Sequence, residues 1–185
     1  MEQMVEENII KNTNREEFVY AITLLLEKWI TILTILIISV ICSRLCPTII
    51  FLISFFLLRK YTGGYHAKSF WQCYFTTIFT YLALIMSDAL IIANQNIMFI
   101  LLTGSVIVII FFGTINHPNM DMNIKEITAS KKVARLLVVT EVSFIWFAWK
   151  VGVNIIYIVY ISCAIILCAA LLCISKLLNQ EVNRI

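Results

Sequence analysis

The stretch Arg59-Lys60-Tyr61-Thr62-Gly63-Gly64-Tyr65-His66-Ala67-Lys68-Ser69-Phe70-Trp71-Gln72-Cys73 holds the residue types with which this chain could do covalent chemistry. It contains one of two histidines, two of five glycines, and the only one of six cysteines outside a clearly apolar setting. A cysteine acts as a nucleophile through its thiolate, and a neighbouring histidine can take the proton. On a straight helix, seven residues would hold His66 and Cys73 roughly 10 Å apart along the axis. Proton transfer needs heavy atoms about 3 Å apart, so the pair works within one chain only if the segment bends. Gly63-Gly64 can supply that bend, because glycine accepts backbone angles other residues avoid. Cys73 then falls near the start of the next helix, where the positive end of the helix dipole favours an anion. On spacing alone a second reading stays open, with Gly-Gly a plain loop, His66 a solvated loop residue and Cys73 the first apolar residue of a helix.

The elements that must position this segment are helices in a membrane. Of 185 residues, 61% are hydrophobic and only 14% charged, and the mean hydropathy is +0.93. Soluble chains carry about 25% charged residues, so the polar surface here is too small to coat a water-soluble particle. Six apolar segments can be drawn, at 29–42, 46–58, 74–93, 97–115, 134–151 and 155–174. The last four match the roughly 20 residues that cross the hydrocarbon core as a helix. The first two are shorter, with Pro47 just after their break, and fit two tilted spans or a hairpin that enters and leaves one side. Residues 18–26 read as an interfacial amphipathic helix running into Glu27 and Lys28. The expectation is therefore an all-α, polytopic bundle of about six transmembrane or membrane-embedded helices. It forms a single integral membrane domain over 1–185, with a cytoplasmic or interfacial N-terminal helix within 1–28 and a catalytic segment at 59–73.

Residues 1–17 are polar and acid-rich, the opposite of a positive leader, so the first apolar segments are expected to stay in the membrane. Basic residues collect in cytoplasmic loops. An inside N-terminus leaves only Arg44 and Lys150, of 14 Lys and Arg, near the outside. Both long loops, 59–73 and 116–133, are then cytoplasmic, and the outer connections 94–96 and 152–154 are very short. A bacterial cell membrane with both termini in the cytoplasm is the expected location. The net charge of +3 is scattered, which argues against nucleic-acid binding. Cys42, Cys46, Cys163, Cys168 and Cys173 sit in or beside apolar runs, where free cysteine packs as a small hydrophobe.

Glu141 and Asp88 lie inside expected spans, where a carboxylate needs a partner or a wet cavity. Glu141 could line a substrate cavity or an interface, while Asp88 is near enough to the outer surface to snorkel. His117 reads as a helix-end residue beside Pro118. With no His-Glu-x-x-His run, no metal is expected, and no cofactor either. Trp29 and Trp71 read as interface anchors, as do Trp146 and Trp149 at the outer end of the fifth segment. A small transporter or peptide exporter, with the polar loop as its gate, is a competing reading, and a non-catalytic scaffold is a third.

Arg59, the run Gly63-Gly64-Tyr65-His66-Ala67, the seven-residue step to Cys73 and the place of this motif after two apolar segments resemble the accessory gene regulator protein B (AgrB) family. These are membrane endopeptidases of peptide quorum sensing in Gram-positive bacteria, and the likeness extends over the length and hydropathy profile. It implies His66 as general base and Cys73 as nucleophile, with Arg59, Gly63 and Gly64 shaping the site. It implies a pro-peptide substrate with an amphipathic leader and an acidic tail, cleaved through a thioester that an internal Cys or Ser then closes into a ring. Lys60, Lys68, Lys131 and Lys132 could attract that tail, although ordinary positive-inside charge explains them as well. A homodimer is expected by the same resemblance. The family's Pro- and Lys-containing loop is matched only loosely by Pro118, Lys125, Lys131 and Lys132.

Overall fold

The computed structural model describes residues 15–63, 69–115 and 123–178. It contains six helices, α1 (Arg15–Ile41), α2 (Leu45–Thr62), α3 (Phe70–Ala93), α4 (Gln95–Phe112), α5 (Ile124–Val151) and α6 (Ile155–Leu177), and among the described residues no strand. Three links are short: 42–44, Asn94 alone, and 152–154. They lie at one end of the bundle, the turn end. The longer links leave from the other, the loop end.

Each short link has a local cause. Asn94 closes α3 and opens α4, its side-chain amide donating to Leu90 O at 2.9 Å. Gly152 ends α5 at φ 80°, a left-handed conformation that glycine takes without a Cβ clash. Asn154 then caps α6, its side chain accepting from Ile156 N at 3.2 Å. Pro47 falls in the first turn of α2, where its missing N–H would have had no helical acceptor, so the helix runs on unbroken.

Among the described residues, α2, α3, α4 and α6 are long and apolar enough to cross a membrane. The span expected at 134–151 lies in α5, which is not one of these four and carries Arg135, Glu141 and Lys150 there. Residues 18–26 and 29–41 form one continuous helix rather than an interfacial piece followed by a span. The second long loop is also shorter than the expected 116–133. Helix α5 starts at Ile124, and the Asn123 N–H donates to Glu126 Oε2 at 2.8 Å as it begins.

Helix α6 is the centre. Of its most apolar window 56% is buried, against 11% for α3 at the periphery. It packs most extensively on α2, then on α4, α5 and α3. The small buried residues Ser162, Ala164, Cys168 and Ala169 let its neighbours come close. Phe51 and Leu58 of α2, Met98 and Ile109 of α4, and Val138 and Ile145 of α5 complete the core. Large apolar side chains such as Phe79, Met86, Ile100 and Phe111 stay outside, as suits a bundle solvated by hydrocarbon.

In α3, Tyr81 and Asp88 are buried and Ile78, Leu84, Ile85, Ile91 and Ile92 pack half-buried against the core, so polar contacts join apolar ones in holding this peripheral helix. Arg44 Nε donates to Asp88 Oδ2 at 2.8 Å, and that bond pushes the guanidinium pKa further up. Asp88 does not snorkel, as the sequence suggested. It is 4% exposed and paired. Tyr81 and Thr48 share a hydrogen bond of 2.6 Å, and Tyr74 donates to Thr34 of α1 at 3.2 Å. Replacing one partner of a buried pair strands the other charge. Asp88→Ala is expected to destabilise the protein by about 2 kcal/mol, less than for a fully buried pair because the Arg44 side chain keeps 37% exposure. Thermal unfolding in detergent checks this, and a midpoint equal to wild type would mean that the pair holds nothing.

Candidate active site

Cys73 is an exposed free thiol in the first turn of α3. That turn forms because Ser69 adopts an extended backbone and its hydroxyl accepts from Gln72 N at 3.4 Å, while Cys73 N donates to Ser69 O at 3.2 Å. Phe70, Trp71, Tyr74 and Phe75 surround the thiol's turn with ring contacts between 5.2 and 6.2 Å. Trp71 and Phe75 remain exposed, so the helix enters its apolar surroundings through aromatic side chains.

Across the loop end, α2 finishes in Arg59-Lys60-Tyr61-Thr62 and stops at Gly63. Gly63 takes φ 64° and ψ −139°, a region essentially closed to residues with a Cβ. A Cβ added there would stand 2.7 Å from the carbonyl oxygen of Ile115. The partly buried Arg59 side chain turns along the helix to donate to Gly63 O. Arg59 thus folds back on the carbonyl at which α2 ends.

The closeness of Gly63 to Ile115 belongs to a junction that nothing in the sequence announced. The last carbonyls of a helix have no acceptor role within it. Here Thr114 Oγ1 donates to Tyr61 O at 2.7 Å, and Ile115 N donates to Thr62 O at 3.1 Å. Gly113, at φ 71°, ends α4 and turns the chain towards α2, with Lys131 of α5 packed so closely that a Cβ would meet its Cγ at 2.9 Å. Thr62, Thr114 and Ile115 are almost wholly buried.

Of the other residues singled out from sequence, His66, Gly64, Lys68 and His117 lie outside the described residues. Lys60 is exposed, its ammonium 5.4 Å from the centre of the Tyr61 ring. Lys131 lies along Gly113, and Lys132 is exposed on the same early turns of α5. Glu141 faces α2, accepting from the Ser54 hydroxyl at 2.9 Å, five residues before Arg59 and so roughly 7 Å from it along the helix. Its partner is internal to the bundle. No group of three His, Cys, Asp or Glu side chains that could hold a metal occurs among the described residues.

The sequence model of the family described as accessory gene regulator B matches residues 1–176, and the chain belongs to that family. No curated protein and no solved structure matches it.

The geometry at Gly63 generates a direct test. Gly63→Ala must relieve both a forbidden dihedral and a backbone clash, a strain of about 1–3 kcal/mol. Thermal unfolding should fall accordingly, whereas Gly104→Ala, where an added Cβ meets nothing within 4 Å, should leave the midpoint at or slightly above wild type. Equal midpoints for Gly63→Ala and wild type would contradict the close approach.

Proposed function

We propose, with membership of the AgrB family as the premise, that this protein is a membrane-embedded cysteine endopeptidase. It would cleave the C-terminal part from a quorum-sensing pro-peptide and pass the remainder on as a thioester. The observation that carries this reading is the placement of Cys73: an exposed thiol in a helix's first turn, flanked by the rings of Phe70, Trp71 and Tyr74.

The chemistry follows from the residue types. His66 takes the Cys73 proton, and the thiolate sulfur adds to a backbone carbonyl of the bound peptide. The negative charge that develops on the carbonyl oxygen is met by Arg59 and by the positive end of α3, where the Phe70 and Trp71 N–H groups precede the two that Ser69 takes up. Collapse breaks the C–N bond, His66 returns the proton to the departing amine, and an S-acyl bond to Cys73 remains. A Cys or Ser side chain inside the bound peptide then adds to the same carbonyl, expels the Cys73 thiolate and closes a thiolactone or lactone. A thioester keeps enough reactivity for that exchange, and a carboxylate would not. Water must therefore be kept away, which a site at the membrane boundary and the rings of Phe70, Trp71 and Tyr74 favour.

Lys60, Lys131 and Lys132 supply positive charge to attract an acidic peptide tail. In this reading the loop end faces the cytoplasm, as do both termini.

Two measurements test the proposal. In cells co-expressing a pro-peptide with an amphipathic leader and an acidic tail that the wild-type protein processes, Cys73→Ala should abolish processing. His66→Ala should lower it by about 10²–10⁴-fold, while Cys163→Ala on α6 behaves as wild type. Undiminished maturation with Cys73→Ala would end the protease reading. Separately, a reporter active only in the cytoplasm should work when fused after residue 185 and fail when inserted at Asn94. The reverse pattern would put the thiol on the wrong side of the membrane.

A further inference from the structure

The turn that joins α1 to α2 carries a strain that its work as a turn does not require. Helix α1 ends in a Schellman arrangement, with Ser43 N donating to Val40 O at 3.0 Å and Arg44 N to Ser39 O at 2.7 Å. That arrangement puts Ser43 at φ 56°, the only described residue other than glycine with a positive φ. Glycine takes this conformation without a Cβ clash, so a serine here costs stability. Beside it, Arg44 gives its Nε to Asp88 at 2.8 Å, which holds the guanidinium in place, and 37% of its side chain stays exposed. Both residues line an open cleft of about 450 Å³ between this turn and the α5–α6 turn, together with Asn154, Tyr157, Val40 and Ile156. The Asn154 side-chain oxygen accepts from Ile156 N, so what that side chain brings to the cleft is its amide N–H pair. Guanidinium, hydroxyl and amide are all donors, and among the described residues no Asp or Glu lines the cleft.

A second cavity of about 150 Å³ adjoins the first through Tyr157, which lines both. Ile50 of α2, Phe144 of α5, and Ile158 and Ile161 of α6 give it carbon walls. Trp146, Trp149 and Lys150, all exposed, stand just before the α5–α6 turn, and such side chains mark the depth of lipid headgroups. A ligand for these two spaces therefore has a negative group, an apolar tail and a place at the membrane surface. We infer that the paired site holds an anionic phospholipid from the leaflet that meets the turn end. Its phosphodiester lies against Ser43, Arg44 and Asn154, and the first part of an acyl chain enters the apolar cavity. A zwitterionic lipid carries the same phosphate, but its ammonium finds no carboxylate on these walls. The strained serine is then accounted for by the hydroxyl it brings. The site stands apart from Cys73 and does not depend on the protease reading.

Full-length protein purified in a non-ionic detergent is titrated with dioleoyl phosphatidylglycerol, dioleoyl phosphatidylcholine or glycerol phosphate, and bound adducts are counted by native mass spectrometry. Phosphatidylglycerol should bind about tenfold more tightly than phosphatidylcholine, and glycerol phosphate, with no chain to bury, should not bind detectably. Asn154→Asp keeps the oxygen that caps α6 but sets a carboxylate in the cleft. It should weaken phosphatidylglycerol about tenfold, while phosphatidylcholine, whose ammonium gains a partner, should lose less. Ser43→Gly should raise the thermal midpoint of the lipid-free protein and yet bind phosphatidylglycerol several-fold more weakly, since relief of strain and loss of a donor act on different measurements. Equal affinity for the two lipids, or wild-type affinity for phosphatidylglycerol in either variant, overturns the assignment. Glycerol phosphate binding as tightly as the lipid would make this a site for soluble phosphate esters and overturn it too. A changed subunit number in Asn154→Asp would make the cleft an interface between copies of this chain, with the same consequence.

Discussion

A polar group without a partner is costly inside hydrocarbon, and that constraint helps to place the helix that carries Cys73. Helix α3 sits at the periphery, with Ile78, Leu84, Ile85, Ile91 and Ile92 only half-buried against the core. To that packing it adds side chains that must be paired: Asp88 with Arg44, Tyr81 with Thr48, Tyr74 with Thr34. The strongest of these lies fifteen residues from Cys73, roughly 22 Å along the helix. The helix that carries the thiol is therefore anchored in part from the opposite end of the bundle.

The loop end solves a related problem with backbone rather than side-chain charge. Helix α2 stops at a glycine whose dihedrals no other residue tolerates, and its last carbonyls are taken up by the residues that follow α4. Two helices distant in sequence thus share one terminus. Gly63 and Gly113 flank it, each needed because a neighbour stands where a Cβ would be. Arg59 closes the arrangement by turning to the Gly63 carbonyl.

Much of this was legible from residues alone. Apolar runs of spanning length announced the bundle, and the aromatic-flanked thiol after a Gly-Gly pair announced where chemistry could occur. The family followed from the same motif. Boundaries were harder. The loop expected to run to residue 133 is partly helix, because a charged, lysine-rich start looks like a loop in a hydropathy profile although Glu126 caps it. The interfacial piece at 18–26 merged into α1, since Glu27 and Lys28 interrupt hydropathy but not helical geometry. Asp88 was misjudged because an ion pair between residues 44 and 88 has no signature in local spacing. The Thr62–Ile115 and Tyr61–Thr114 bonds were invisible for the same reason: a hydrogen bond to a main-chain carbonyl leaves almost no mark on composition.

Helices α3 and α4 are joined by Asn94 alone, and they pack on each other less than either packs on α6. They are the two prongs of a fork joined at its base by one residue. One tip carries Cys73, and the other, through Ile115, presses its carbonyl against Gly63. A small change of angle at Asn94 is therefore amplified over the length of both helices before it reaches the thiol.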